Sequence, residues 1–126
     1  MLVAGLHGML AKSHNIVALG TNAVAANAMK EAGASCVGVG PHAIAQTVPT
    51  VDVIVGTLNL VLPGAMLGEV TPAIAEAILN AKAKKVLLPV NRTHMEIVGS
   101  EDHTLEALIA RSLSRVTRFV SASRQF

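Results

Sequence analysis

The sequence predicts a doubly wound α/β domain spanning residues 1–126: an open, mostly parallel sheet with helices on both faces, in three layers. Three observations carry this. Strand-like and helix-like stretches alternate along the chain. One of the alternations, Val51 to Leu88, reads as a complete strand–helix–strand unit, whose strands must run parallel because the connection is a crossover. The third observation is compositional: apolar residues make up 52% of the chain and aromatic residues 2%. Small aliphatic side chains of this kind suit helices packed closely on a sheet.

The strand–helix–strand unit is the clearest part. Val51, Val53, Ile54 and Val55 form a β-branched run that stops at Gly56, the pattern of a strand buried on both faces. Thr71-Pro72 opens a helix, with Thr as cap and Pro where its missing N–H costs nothing. Ile74, Ile78 and Ala81 share one side of that helix, and Lys82, Lys84 and Lys85 suit the negative end of its dipole. Val86 to Leu88 is the second strand, halted by Pro89.

The other elements are shorter. Residues 2–10 carry apolar side chains at helical spacing, weakened by two glycines. Ile16 to Leu19 reads as a strand, and Gly20-Thr21-Asn22 as the turn at its carboxyl end. An Ala-rich helix follows from Ala23 to Ala32, stopped by Gly33. Ser35 to Val39 is a strand, Gly40-Pro41-His42 a turn, and Ala43 to about Thr47 a short helix. After Pro89, a polar loop (Asn91-Arg92-Thr93-His94) leads to the apolar piece Met95–Val98 and to Gly99, and Ser100 to Asp102 offers caps for a last helix. In that helix Leu105, Leu108, Ile109, Ser112, Leu113, Val116, Phe119 and Val120 trace one stripe, with Glu106, Arg111, Ser114, Arg115 and Arg118 outside it.

Composition narrows the class of partner. The net charge is +2, with the basic residues gathered in a knot at Lys82–Lys85 and along the last helix, where they read as a solvated face. With no Trp or Tyr and two Phe, the chain lacks the stacking platforms of a nucleic-acid groove, and a nucleic-acid partner is not favoured. The apolar stretch Val53–Gly68 is too short to cross a membrane and is broken by Gly56, Asn59, Pro63 and Gly64. The N-terminus has no charged opening of a secretory signal, and Cys36 is the sole cysteine, which points to a reducing cytoplasm. Cys36 itself reads as a small buried hydrophobe. The high apolar share in a small domain points to a surface covered by another subunit, hence a homo-oligomer.

Five blocks together carry a family likeness: Leu19-Gly20-Thr21-Asn22-Ala23, Val51-Asp52-Val53-Ile54-Val55-Gly56, Met66-Leu67-Gly68-Glu69-Val70-Thr71-Pro72, Lys84 through Arg92, and Glu96-Ile97-Val98-Gly99. With these the chain resembles, from about Leu2 to Val116, a bacterial family known as domain of unknown function 3842. The resemblance implies a Rossmann-like α/β fold. Members of that family open with a strand and a glycine-rich turn, and neither is visible here: either the native protein begins upstream of Met1, or it does without that first strand. The family has no established reaction, so the likeness supplies no catalytic residue.

Ligands of open parallel sheets bind beyond the carboxyl ends of the strands. There the sequence places Thr21, Asn22, Gly56, Asn59, Asn91 and Arg92, the candidate ligand-binding set. Backbone donors at helix starts favour an anion, and Arg92 suits bidentate recognition of a phosphate or carboxylate. The expected ligand is therefore small and anionic, a nucleotide or phosphorylated metabolite. Thr21 and Asn22 read more simply as helix caps, and Gly56 as a turn residue; Asn91 and Arg92 have no capping role of their own. Glu69 and His94 are the candidate acid–base groups, with Glu69 on a loop, Leu60–Val70, that reads as a lid or as plain surface. No close His or Cys spacing marks a metal site, and no phosphate-loop, dinucleotide or nucleophile-elbow motif is present. Catalysis and cofactor are thus left open, and the competing reading is a non-catalytic, oligomeric interaction protein with an inert rim.

Overall fold

A computed structural model describes residues 16–20, 23–89, 95–99 and 104–123. The helix expected over residues 2–10, the candidate caps Ser100–Asp102 and the start of the chain lie outside the described residues. The elements are β1 (Val17–Gly20), α1 (Ala23–Glu31), β2 (Cys36–Val39), α2 (Gly40–Thr47), β3 (Val53–Thr57), α3 (Pro72–Asn80), β4 (Lys84–Leu88) and α4 (Leu105–Ser123), with short 3₁₀ turns at Val48–Thr50 and Leu58–Val61. Alternating strands and helices give a mixed α/β fold.

Both predicted crossovers are present. β1 pairs parallel with β2, Val17 opposite Cys36 and Gly20 opposite Val39. β3 pairs parallel with β4, Val53 opposite Lys84 and Thr57 opposite Leu88. Just before the first ladder, Ser35 N–H donates to the Ile16 carbonyl at 2.8 Å and Ile16 N–H donates to Ser35 Oγ at 3.4 Å, which seals that end. Where the sequence suggested one open sheet, the described residues form two separate two-stranded ladders. β3 is correspondingly half-buried along its length rather than buried on both faces, and Leu88 is the one fully covered side chain of β4.

The core sits between α2, α3 and the loop that follows β3. Ile44 and Val48 from the α2 side meet Ile74, Ala75 and Ile78 of α3, with Ala65 and Val70 of the loop closing the cluster. Leu19, Ile54 and Leu60 pack against it from the strand side. α1 and α2 cover β1 and β2, whereas α4 lies along β4 and reaches β3. The α4 stripe follows the periodicity from Leu108 on: Ile109, Ser112 and Val116 are buried, and Arg111, Ser114, Arg115 and Arg118 are exposed, whereas Leu105, at the start of the predicted stripe, is exposed in the first turn.

Local chemistry explains the boundaries. Thr71 Oγ1 accepts from Ile74 N–H at 3.2 Å, and Pro72 follows it at the first helical position. In α4 the same role falls to Thr104, whose Oγ1 accepts from Ala107 N–H at 3.1 Å. Gly33 ends α1 with φ of 117°, a left-handed stop that lacks a Cβ penalty.

Four expectations are corrected. α2 starts at Gly40 instead of Ala43: Gly40, with φ of 89°, turns the chain out of β2 and Pro41 fits the first turn, so the strand runs directly into the helix and exposed His42 is helical. α3 ends at Asn80, before the lysines; Lys84 and Lys85 belong to β4, and Lys85 Nζ donates to the Ala81 and Ala83 carbonyls just past the helix. Cys36 is exposed rather than buried, since it opens β2 opposite Val17, itself partly exposed. Gly56 lies inside β3, in register with Leu87, instead of ending the strand. A Cβ there would collide with Leu60 Cδ1 and stand 3.3 Å from its Cγ. Glycine therefore lets Leu60, on the following 3₁₀ turn, fold back over the strand.

Candidate functional site

Parallel pairing fixes where polar groups can gather. Thr57 and Leu88 are in register at the carboxyl ends of β3 and β4, so the segments leaving both strands start from one edge. Asn59 lies on the half-buried 3₁₀ turn directly after β3, where its carbonyl accepts from Leu62 N–H at 3.1 Å. Pro89 follows β4, leading toward Asn91 and Arg92. Those two residues, together with Thr21, Asn22 and His94, lie outside the described residues. Of the candidate binding set, the structure therefore describes Gly56 and Asn59.

The loop holding Glu69 is anchored rather than open. Gly64 N–H donates to the Val70 carbonyl at 2.8 Å and Val70 N–H to the Ala65 carbonyl at 3.1 Å, and Ala65 and Val70 are both buried in the core. Between them the chain turns through left-handed backbone at Gly64, Met66, Leu67 and Gly68. Leu67 is fully exposed at its tip, Glu69 is exposed, and the Glu69 N–H donates to the Met66 carbonyl at 3.1 Å. Both shoulders of the loop thus lie in the core, and Glu69 stands on the exposed turn between them.

A cavity of about 210 Å³ opens where β4 meets α4. Its apolar walls are Val86, Leu87 and Pro89 on the strand side and Leu108 on the helix, with Gly99 at one border. Arg111, Ser112 and Arg115 complete it from α4. Arg111 and Arg115 are four residues apart, so they occupy one helix face, one turn above the other. The Ser112 hydroxyl donates to the Leu108 carbonyl at 2.9 Å, an intrahelical bond that leaves the two guanidiniums as the charged groups of this lining. A larger groove, about 460 Å³, runs along α4 past Leu113, Ser114 and Arg118; among the described residues its walls come from that helix alone, which gives no convergence of groups from different elements.

Arg111 and Arg115 are exposed, as the sequence reading of a solvated outer face has it, and they also border this cavity, which that reading did not identify. One signal for it existed: Ser112 is a polar residue within an otherwise apolar stripe, which marks the line along which α4 meets the strand, and the two arginines flank it. Among the described residues no three His, Cys, Asp or Glu side chains are grouped as metal ligands, and no described helix is long and apolar enough to cross a membrane.

Fold and cavity together define a small mixed α/β protein built on two parallel crossovers. The chain matches, over residues 1–121, the family model described as "Domain of unknown function (DUF3842)", and it belongs to that family. No curated protein and no solved structure matches it.

Proposed function

We propose that this protein binds a small anionic metabolite at the carboxyl edge of its β3–β4 ladder, in the cavity between β4 and α4. The observation that carries the reading is the pair Arg111 and Arg115 on the wall of a cavity that Pro89 borders. Guanidiniums stay charged at any physiological pH and present a planar fork of donors that matches phosphate or carboxylate. Asn91 and Arg92 follow Pro89 within three residues, so the expected polar pair belongs to the same edge in sequence. At about 210 Å³ the cavity is below the ~300–1,000 Å³ typical of sites that enclose a drug-sized ligand. A small anion, or one portion of a larger molecule, fits that size better than an enclosed nucleotide. Binding alone is proposed; no residue is assigned a catalytic step.

The test is a thermal-shift series with phosphate, sulfate, short carboxylates and sugar phosphates, on the native protein and on Arg111→Ala and Arg115→Ala. A ligand at one hundred times its dissociation constant adds about 2.7 kcal/mol to stability. Stabilisation by at least one anion, weakened in both variants, is the expected result. No stabilisation by any of them contradicts the reading.

A second reading keeps the fold as an oligomeric, cytoplasmic scaffold. Its support is the set of exposed large apolar side chains, Val24, Leu67, Leu79 and Val98 among them. Sedimentation showing a monodisperse monomer at micromolar concentration argues against it.

A further inference from the structure

We infer that a second copy of this chain docks along the outer face of α4, helix against helix and antiparallel, to form a symmetric dimer. The inference rests on the oligomer reading above and names its contact face; it does not depend on the anion site. Glu106, Ala110, Ser114 and Arg118 follow one another at intervals of four residues, and all of them are exposed. Such a row makes a continuous ridge on the surface of an α-helix. A groove of about 460 Å³ runs beside it, with half-buried Leu113 and Thr117 next to Ala110, Ser114 and Arg118. The Thr117 hydroxyl donates to the Leu113 carbonyl at 2.8 Å, so its hydrogen is already placed within the helix.

This ridge is complementary to its own reverse. Its two ends, Glu106 and Arg118, carry opposite charges, and its middle, Ala110 and Ser114, is small. About a two-fold axis level with Ser112, Glu106 comes beside Arg118 of the second copy, and Ala110 beside Ser114 of the second copy. Ridges of this four-residue kind interdigitate when helices cross at about −50°, which keeps the two ridges side by side along their length. The small pair lets the backbones approach, and Leu113 adds apolar area beside it. A parallel arrangement would set acid against acid and base against base, so charge selects the antiparallel one. Because one patch serves both copies, the contact closes as a dimer and leaves no end to propagate.

Sedimentation equilibrium of the full chain at micromolar concentration, native and as Glu106→Arg and Arg118→Glu, tests this. Both positions are exposed, so the variants keep the fold. The native chain is expected to dimerise. Each reversal acts at both ends of a symmetric contact and is expected to weaken dimerisation about tenfold. An equimolar mixture of the two variants should recover the native affinity, since one copy then carries acids at both ends of its ridge and the other carries bases. A dimer indifferent to both reversals, or weakened by them without recovery in the mixture, overturns the inference and leaves the oligomer reading standing. A monodisperse monomer takes both down.

Discussion

Gly38 lies opposite Leu19 in the β1–β2 ladder, and a Cβ on Gly38 would stand 2.8 Å from Leu19 Cδ2 and 3.1 Å from Ala43 Cβ. The missing side chain lets α2 settle on the strands and lets Leu19 reach the core beside Ile44. Leu19 Cδ2 is the end of a rotatable side chain, but Ala43 Cβ is fixed to the helix backbone. Gly38→Ala therefore pushes α2 outward and is expected to destabilise by about 1–3 kcal/mol, the usual cost of overpacking. Gly56→Ala meets only the Leu60 side chain within 4 Å and should cost less. Urea unfolding of the two variants checks the order; equal costs would mean that the α2 contact is looser than described.

Met66 and Leu67 both have φ of 57°, a left-handed conformation that costs a residue with a Cβ about 1–2 kcal/mol. Leu67 is fully exposed, so trimming it loses no packing. Leu67→Gly should accordingly leave stability unchanged or raise it by up to about 1 kcal/mol, relief of strain being partly offset by the entropy of glycine in the unfolded chain. Leu67→Val should lower it, since a β-branched residue tolerates this region worst. Denaturant midpoints ranked Gly, Leu, Val from high to low are the expected outcome. A lower midpoint for Leu67→Gly than for the native chain would show that the Leu67 side chain has a stabilising contact in solution.

Thr71 and Thr104 cap α3 and α4 with the same geometry, side-chain oxygen to the N–H three residues on, at 3.2 and 3.1 Å. Replacement by Ala should cost about 0.5–2 kcal/mol at each site, and replacement by Ser should restore most of it. Ile74, whose N–H is the donor at Thr71, is itself a core residue, so Thr71→Ala should be the costlier of the two. Thermal unfolding of the four variants distinguishes a capping role from a packing role, because Ser keeps the hydroxyl and loses only the methyl.

Much of this architecture was legible from local chemistry. Thr71-Pro72 announced a helix start, Gly33 a stop, and the β-branched run before Gly56 a strand, because each rests on backbone geometry that a few neighbouring residues decide. The α4 stripe was readable for the same reason: Ile109, Ser112 and Val116 recur at helical spacing and are buried. What local pattern does not encode is which surfaces meet. Gly56 looked like a turn because glycine ends strands; its place within β3 depends on Leu60 folding back over it, a tertiary event. Cys36 looked buried because strand residues between small neighbours often are, yet the opening of β2 opposite Val17 is left uncovered. The cavity beside the arginine pair was hidden likewise, although the pair is exposed as the periodicity predicts. Arg111 and Arg115 read as solvated charge until β4 and Pro89 are set beside α4.

The account stands on a small anion lodging between β4 and α4. The most direct test is a two-dimensional NMR titration of ¹⁵N-labelled protein with acetate and, in parallel, with inorganic phosphate. Binding at the proposed place predicts saturable shifts for the amides of Leu87, Gly99, Arg111, Ser112 and Arg115, absent in Arg115→Ala, while the amides of α1 and β2 stay unmoved. Saturable shifts centred on α1 or β2, or no shift with either anion, would contradict it.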